Sequence, residues 1–432
     1  MDTVPADAPV PLAVAMAPND LPSVPGLIDA IVGLGPRAAA GDDDEARLGL
    51  VEQARALVRA LETPRETMIK HCWAQPAAMA ALTTGVDLGL FARLAADQGK
   101  PKRVEALAAQ VGAEPALLQR LMRHMAAMGY VAETGEDEYR PTNFSRALSH
   151  PSIGDGYPCV AYAFHAAVTR FPEWAAQHGY RVPDDGCDGP LQHAYGHKAN
   201  MFEHLLARPV QAAQFNRHMG GYRQGRPSWM DPGFYPVDER LIAGFEAGPD
   251  AVFLVDVGGG VGHDLAEFRR KVPHAPGRLV LEDLGHVIEQ ATTTTTTAAD
   301  GGLDPAIETV VYDFRAEQPV TGARAYFLHS VLHDWPDAEC ATILARVKAA
   351  MRPGYSRLLV CENVLPRRRA QWEATALDIM MMTLLSSRER TEADWVALLE
   401  GRAGLRVNSI YTAKNGVESI IECELREGEG AL

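Results

Sequence analysis

A series of short apolar runs between residues 251 and 365 limits what this chain can fold into more than any other feature. They read "AVFLVDVGGGVGHDLAEFRRKV", "GRLVLEDLGHVIEQA", "IETVVYDF", "ARAYFLHSVLHDW" and "SRLLVCENVL". Each carries a strand-length stretch of β-branched, Leu or aromatic residues, and helical segments separate one from the next. Strands buried on both faces read as continuous hydrophobic runs, and parallel neighbours require a crossover, usually helical. The pattern predicts an α/β domain with a mostly parallel, Rossmann-like sheet covered by helices. The closing "LRVNSIYTAKNGVESIIECEL" adds two strands around a Lys-Asn-Gly turn, an antiparallel edge on that sheet. The threonine run Thr292 to Thr297 reads as a surface insertion without chemistry.

Upstream of Gly248 the texture is helical. Residues 1–45 are rich in Ala, Pro and Asp and predict a flexible arm, in which "LPSVPGLIDAIVGL" has the pattern of a short amphipathic helix. A strong helical period starts at "DDDEARLGLVEQARALVRAL", with acids at its N-terminus complementing the helix dipole. "VEALAAQVGAEPALLQRLMRHMAAMGYVAETGEDEYRPTNFSRAL" then reads as helix, turn, helix and hairpin, the order of a winged helix. Its second helix offers only Arg120, Arg123 and His124 as basic groups, so dimerisation suits it better than DNA binding. The expected organisation is an arm over 1–45, a helical, winged-helix dimerisation and substrate-covering domain over 46–245, and the sheet domain over 246–432.

A net charge of -15 without any long Lys/Arg block argues against a nucleic-acid or anionic-membrane partner. Cys72, Cys159, Cys187, Cys340, Cys361 and Cys423 are scattered and form no C-x-x-C pair, so neither a metal site nor a disulfide framework is expected. The N-terminus has an acid at its front and prolines breaking its apolar part, unlike a signal peptide, and no stretch is long and apolar enough to span a bilayer. A cytoplasmic protein that meets a small molecule or another chain is the expectation.

The chemistry gathers at the ends of the strands. "VDVGGGVGHDL" turns from a strand into a helix, so its backbone N–H groups face a ligand. His263 stands where a dinucleotide fingerprint needs its third glycine, and no Lys-Ser or Lys-Thr follows as in a P-loop. The acids Asp256, Glu282, Asp283 and Asp313 suit hydroxyls and a cationic amine and would repel a pyrophosphate. S-adenosylmethionine has that chemistry: a bare ribose, a sulfonium and an amino-acid tail. Phe314 offers a ring to cover adenine. A strand-end cap is the lesser alternative for each acid taken alone, and their recurrence at successive strand ends favours a ligand.

His333 leaves the fourth strand where open α/β sheets bind ligands, and Pro336 fixes the start of the next helix. Glu362, ending the fifth strand, and Glu389, in "SSRERTEADW", are carboxylates able to fix the imidazole tautomer and leave its other nitrogen to take a proton. The alternative is a buried glutamate neutralised by Arg388 or Arg390.

Together, "VDVGGGVG", "LVLEDLGHVI", "YDF", "VLHDWPD", "CENVLP" and "RERTEADW" resemble, in order and spacing, the class I S-adenosylmethionine-dependent O-methyltransferases of the plant caffeic acid type, in particular their fungal and bacterial small-molecule branch. The resemblance implies a winged-helix domain that forms a homodimer and a Rossmann-like domain that holds S-adenosylmethionine. It implies His333 as general base flanked by Glu362 and Glu389, acting on a hydroxylated small-molecule acceptor without a metal. Donor positions are Asp256, Gly258, Gly260, Asp283, Leu284, Asp313, Phe314 and His329; acceptor positions are His165, Met219, Trp229, Asp334, Met380 and Met381. His329 departs from the lysine of plant members, Gly285 from a usual proline, and the stretch from Asp378 to Glu389 is one residue shorter. Some fungal relatives use the bound sulfonium to assist dehydrations or pericyclic reactions, which the fold alone does not separate from methyl transfer.

Overall fold

The computed structural model describes residues 10–222, 225–293, 303–414, 416 and 418–426. The chain divides into two compact units, Met1–Pro158 and Cys159–Leu432.

In the first unit, helix α1 (Val24–Ala40) packs along α2 (Asp44–Leu61), with Leu34 lying against Gly49. Gly41 closes α1 at a φ of 84°, and the Asp43 carboxylate accepts the Ala46 N–H at 2.9 Å to cap α2. The flexible arm expected over residues 1–45 is therefore helical from Val24 onward. Its composition suggests disorder, whereas the apolar period of α1 is satisfied by a partner helix. The first nine residues lie outside the described ones.

The winged-helix order follows. Strand β1 (Lys102–Arg103), helices α3 (Val104–Val111) and α4 (Pro115–Ala127), and the hairpin β2 (Val131–Gly135) and β3 (Glu138–Pro141) form one motif, with sheet order β1-β3-β2. Leu118, Met122 and Met125 form the core face of α4, buried with Leu107 and Tyr139, while Leu117 is exposed. Arg123 pairs with Asp137 at 3.6 Å, and His124 bonds the Ala74 carbonyl at 3.0 Å.

The second unit is built on strands β4 (Val252–Val257), β5 (Arg278–Asp283), β6 (Ile307–Val311), β7 (Ala325–His329), β8 (Arg357–Leu365), β9 (Arg390–Thr391), β10 (Leu405–Thr412) and β11 (Glu418–Leu425). The sheet order is β10-β11-β8-β7-β4-β5-β6, with β9 beside the end of β8. Neighbours from β8 through β6 are parallel, and β10–β11 and β11–β8 are antiparallel, the architecture expected from the apolar runs. Asn415 of the turn before β11, and Thr294 to Thr297 of the threonine run, lie outside the described residues.

Residues 159–245 belong to this unit, so the division falls at Pro158 and Cys159 rather than at 245. The physical reason is where their apolar side chains are buried. Cys159, Phe164, Leu191, Met201 and Leu205 pack with Met381, Leu384 and Leu385, while Tyr235 and Leu241 join Phe253 and Phe327 against the sheet. Arg324 ties the same segment down by donating to the carbonyls of Leu241, Arg240 and Ala243. Three helices of this unit position the site: α5 (His263–Lys271), α6 (Asp337–Ala350) and α7 (Trp372–Leu385). Among the described residues, no single helix is long and apolar enough to cross a membrane.

Candidate functional site

The loop between β4 and α5 is held from below. The N–H groups of Gly258 and Gly259 donate to the Glu282 carbonyl at 2.8 and 3.2 Å, and Gly260 N–H donates to the Asp283 carboxylate at 2.8 Å. Gly258 sits at a φ of 72°, a conformation glycine adopts without strain. At Gly259 a Cβ would lie 2.5 Å from the Asp256 carboxyl and 2.6 Å from Leu281, so the chain runs directly over the buried acid. Asp256 thus lies beneath the loop rather than at the surface of the crevice.

The sequence groups Glu282 and Asp283 as a pair of strand-end acids, and the structure separates them, because successive strand residues face opposite sides of a sheet. Asp283 also accepts the Leu284 N–H at 2.7 Å, and burial raises its pKa against those two backbone donors. Each carboxylate oxygen keeps acceptor capacity beyond its one backbone bond. Glu282 is fully buried, bonds Gln318 at 2.8 Å, and is pushed up to about 7 by burial. It is a core carboxyl on the far face. Leu284 and Asp313 are exposed, and Asp313 accepts the Arg315 N–H at 3.0 Å. Phe314 stands beside the glycine loop, near enough that a Cβ on Gly258 would meet its ring at 3.9 Å. Its ring meets Trp335 edge-on at 5.9 Å, with the Arg315 guanidinium over both rings.

His329, closing β7, is held between two carboxylates: Asp264 at 3.0 Å from Nδ1 and Glu418 at 3.4 Å from Nε2. Arg226 joins Glu418 at 2.8 Å and Glu373 at 2.5 Å. Where plant members carry a lysine, this chain therefore places an imidazole inside a charged network.

Beyond His329 the backbone passes through Ser330, a non-glycine residue at a φ of 52°, into the short turn Leu332–Asp334 that presents His333. His333 Nδ1 lies 2.8 Å from Glu389 Oε1, and Nε2 lies 3.4 Å from Asp334 Oδ1. Glu362 has a different job from the one expected. Its Oε1 accepts the N–H groups of Val331, Leu332 and His333 at 3.0, 2.8 and 3.3 Å, while Oε2 stays 3.7 Å from Nδ1. It anchors the turn's backbone; Glu389 orients the ring. The alternative of a glutamate neutralised by its neighbours does not hold for Glu389. Arg388 pairs with Asp337 and Asp394, and Arg390 with Asp337.

Burial opposes a charge on His333, but Glu362, Asp334 and Glu389 outweigh it and push its pKa up to about 10. Burial raises Asp334 to about 6 and Glu362 to about 7, each restrained by the imidazolium. The set shares protons and titrates as one unit.

Two residues outside the expected set complete the site. Ser387 Oγ donates to the carbonyls of His333 and Trp335 at 2.6 and 2.9 Å. Arg390, fully buried, donates to the carbonyls of Leu332 and Trp335, both at 2.9 Å, and to Asp337 at 2.8 and 3.0 Å. The signal available for it is the arginine beside Glu389 in "RERTEADW", which in sequence suggests only a counter-charge.

The acceptor positions are less uniform. Met381 is buried and Met380 packs against the same cluster, with Phe164 and Phe215. Met219 is half-buried on the helix Pro209–Tyr222, whose Gly220 lies close to His263 at the start of α5. His165 is exposed. Trp229 is a core residue, stacked on Phe268 and Phe327 at 5.6 and 5.1 Å and only 3% exposed. Burial between α5 and β7 removes it from any acceptor-lining role.

His333, Glu362 and Glu389, and separately His329, Cys361 and Glu418, have the donor types and spacing to hold a metal ion. In the first set Glu362 Oε1 is already committed to three amides and Glu389 Oε1 to the imidazole.

Comparison with known proteins is consistent as to family. A family model described as the O-methyltransferase domain matches residues 239–406, and one described as the O-methyltransferase dimerisation domain matches residues 75–150. The chain is 38% identical over 390 residues to O-methyltransferase MpaG' of Penicillium brevicompactum, covering 89% of this chain and 94% of that one. Among solved structures, LepI in complex with SAM superposes with a TM-score of 0.82 at 29% identity, covering 93% of this chain and 100% of that one. OxaC in complex with SAH and oxaline superposes with a TM-score of 0.81 at 28% identity, covering 94% and 99%. LepI is a pericyclase and OxaC a methyltransferase.

Proposed function

Since the chain belongs to the S-adenosylmethionine-dependent O-methyltransferases, we propose that it methylates a phenolic or enolic hydroxyl of a small secondary metabolite, with His333 as general base, and that it works as a homodimer. The observation that carries this reading is the His333–Glu389 bond at 2.8 Å, at the strand end next to the glycine loop.

The residues fit the donor. The loop leaves no room for a side chain at Gly259, and Asp283 offers acceptors for ribose hydroxyls in a site without a phosphate-binding lysine. When bound, S-adenosylmethionine supplies an electrophilic methyl group carried on a sulfonium. The chain's own part is to orient the acceptor and move a proton. Glu389 holds Nδ1, which leaves Nε2 to take the hydroxyl proton as the oxygen becomes nucleophilic. Glu362, Ser387 and Arg390 keep the turn from shifting while it does so. Gly259→Ala is expected to force the loop off Asp256. Overpacking of this kind costs about 1–3 kcal/mol, which is about 5- to 150-fold in affinity where it falls on the donor-bound loop. Calorimetric titration with S-adenosylhomocysteine reads it; unchanged affinity would mean that the loop does not hold the donor.

A second reading, a pericyclase-like reaction in which the donor is not consumed, is favoured by the likeness to LepI. Incubation of the full chain with donor and polyketide or alkaloid extracts separates the two by mass. A product heavier by one methylene, formed together with demethylated donor, is the expected result. An isomerised or dehydrated product with intact donor overturns methyl transfer.

A further inference from the structure

Helix α1 has two apolar sides and only one of them is covered. Asp29 and Arg37 are its only charged residues, and none of its residues is buried, although Leu34 already lies against α2. Outward, Ile28 is 45% exposed and Val32 68% exposed, on a face continued by the exposed Pro25, Pro36 and Ala39 and interrupted by one exposed acid, Asp29. Gly33 lies on the same face, where a Cβ would meet nothing within 4 Å. The chain leading into the helix adds Val10, Leu12, Val14, Met16 and Leu21, each more than half exposed. By contrast, α2 turns Glu45, Arg47, Glu52, Arg55 and Arg59 to solvent. A helix apolar on all sides is stable in water only when it is enclosed.

We propose that the outer face of α1 docks on the same face of α1 in a second copy of the chain, outside the matched dimerisation domain. The proposal rests on the homodimer reading above and extends the interface to residues that precede position 75. The chemistry of the face selects the occupant. With Asp29 its one acid and Arg37 at its edge paired to Asp43, the face offers no charged patch to recognise a charged peptide or nucleic acid, and an interfacial membrane helix needs a basic polar face that α1 lacks. An isologous contact needs only self-complementarity. In an antiparallel pair centred on Gly33, the small central residue permits close approach, the two Val32 side chains meet across the axis, and the helix dipoles oppose favourably. The domain that follows in the same compact unit, residues 75–150, matches a dimerisation family, so two copies are brought together immediately after this hairpin.

The test uses the full chain with the exposed Cys72 and Cys187 replaced by serine. Val32→Cys under mild oxidant is expected to give a disulfide-linked pair on a non-reducing gel, and Arg55→Cys, on the charged outer side of α2, is not. The double variant Ile28→Glu, Val32→Glu should lose association, read as a fall in mass or at least a tenfold weaker dimer by light scattering. A dimeric wild type whose Val32→Cys form does not cross-link overturns this interface and leaves the homodimer reading standing. A monomeric wild type overturns both. Sedimentation with neutral lipid vesicles, without cross-linking, would assign the face to a membrane instead.

Discussion

His333→Ala is expected to lower methyl transfer by roughly 10²- to 10⁴-fold, the span for losing a positioned general base, while donor affinity stays within a factor of about two. Donor affinity should hold because the glycine loop and Asp283 are organised by bonds that do not involve the imidazole. The pH profile gives a second readout. With three carboxylates holding His333 near a pKa of about 10, most of the imidazole is protonated at neutral pH and cannot accept a proton. The competent fraction rises about tenfold per pH unit below that value, so kcat/KM should climb between pH 7 and 9 in the wild type. His333→Ala should flatten this rise. For stability the sign is opposite. The stabilisation that comes from raising the His333 pKa above the unfolded 6.5 is lost as pH rises toward 10, and protonation of Glu362 and Asp334, at about 7 and about 6, withdraws their share of the ion pairing on the acid side. Activity and stability should therefore diverge on the alkaline side. A variant within threefold of wild type, with its pH profile intact, would remove His333 from the proton transfer.

Much of this is legible in the sequence because the governing physics is local. Strands buried on both faces show as unbroken apolar runs, and the glycine loop marks where one such strand must turn into a helix. The mostly parallel sheet with its antiparallel edge and the histidine at a strand end both follow from that. What is not legible depends on partners distant in sequence. Glu362 and His333 do come from neighbouring strand ends, but whether the carboxylate meets the ring or the backbone amides depends on how the turn after Ser330 folds. Trp229 carries no local sign of the pocket made for it by Phe268 and Phe327. The Ala, Pro and Asp content of the arm points to disorder, and although residues 21–34 carry the period of a helix, what holds that helix is its packing on α2, which no local pattern shows. Glu282 is the one misplacement that local pattern corrects: two-residue periodicity allows only one of two adjacent strand residues to face the ligand.

Arg390→Met is expected to separate holding the turn from holding the fold. The guanidinium is fully buried and donates to two carbonyls that flank His333, to Asp337 and to Cys340 Sγ at 3.5 Å, with Trp395 packed 5.1 Å away. Methionine fills similar space and makes none of these bonds. Asp337 keeps Arg388, and the Trp335 carbonyl keeps Ser387, which softens the loss. Breaking one side of a buried ion pair costs about 3–5 kcal/mol, and the surviving partners place this case near 3 kcal/mol, a drop of roughly 3–5 °C in Tm for a unit of this size. If the clamp also positions the base, kcat measured well below the melting transition should fall by about 10²-fold, since displacements near 1 Å cost that much at a reacting centre. Donor affinity should not change. Arg390→Lys carries the charge without the planar fork and should recover stability more than rate. A fall in Tm with kcat preserved at low temperature would confine Arg390 to the fold, whereas a fall in kcat together with a pH profile shifted from that of the wild type assigns it to setting His333.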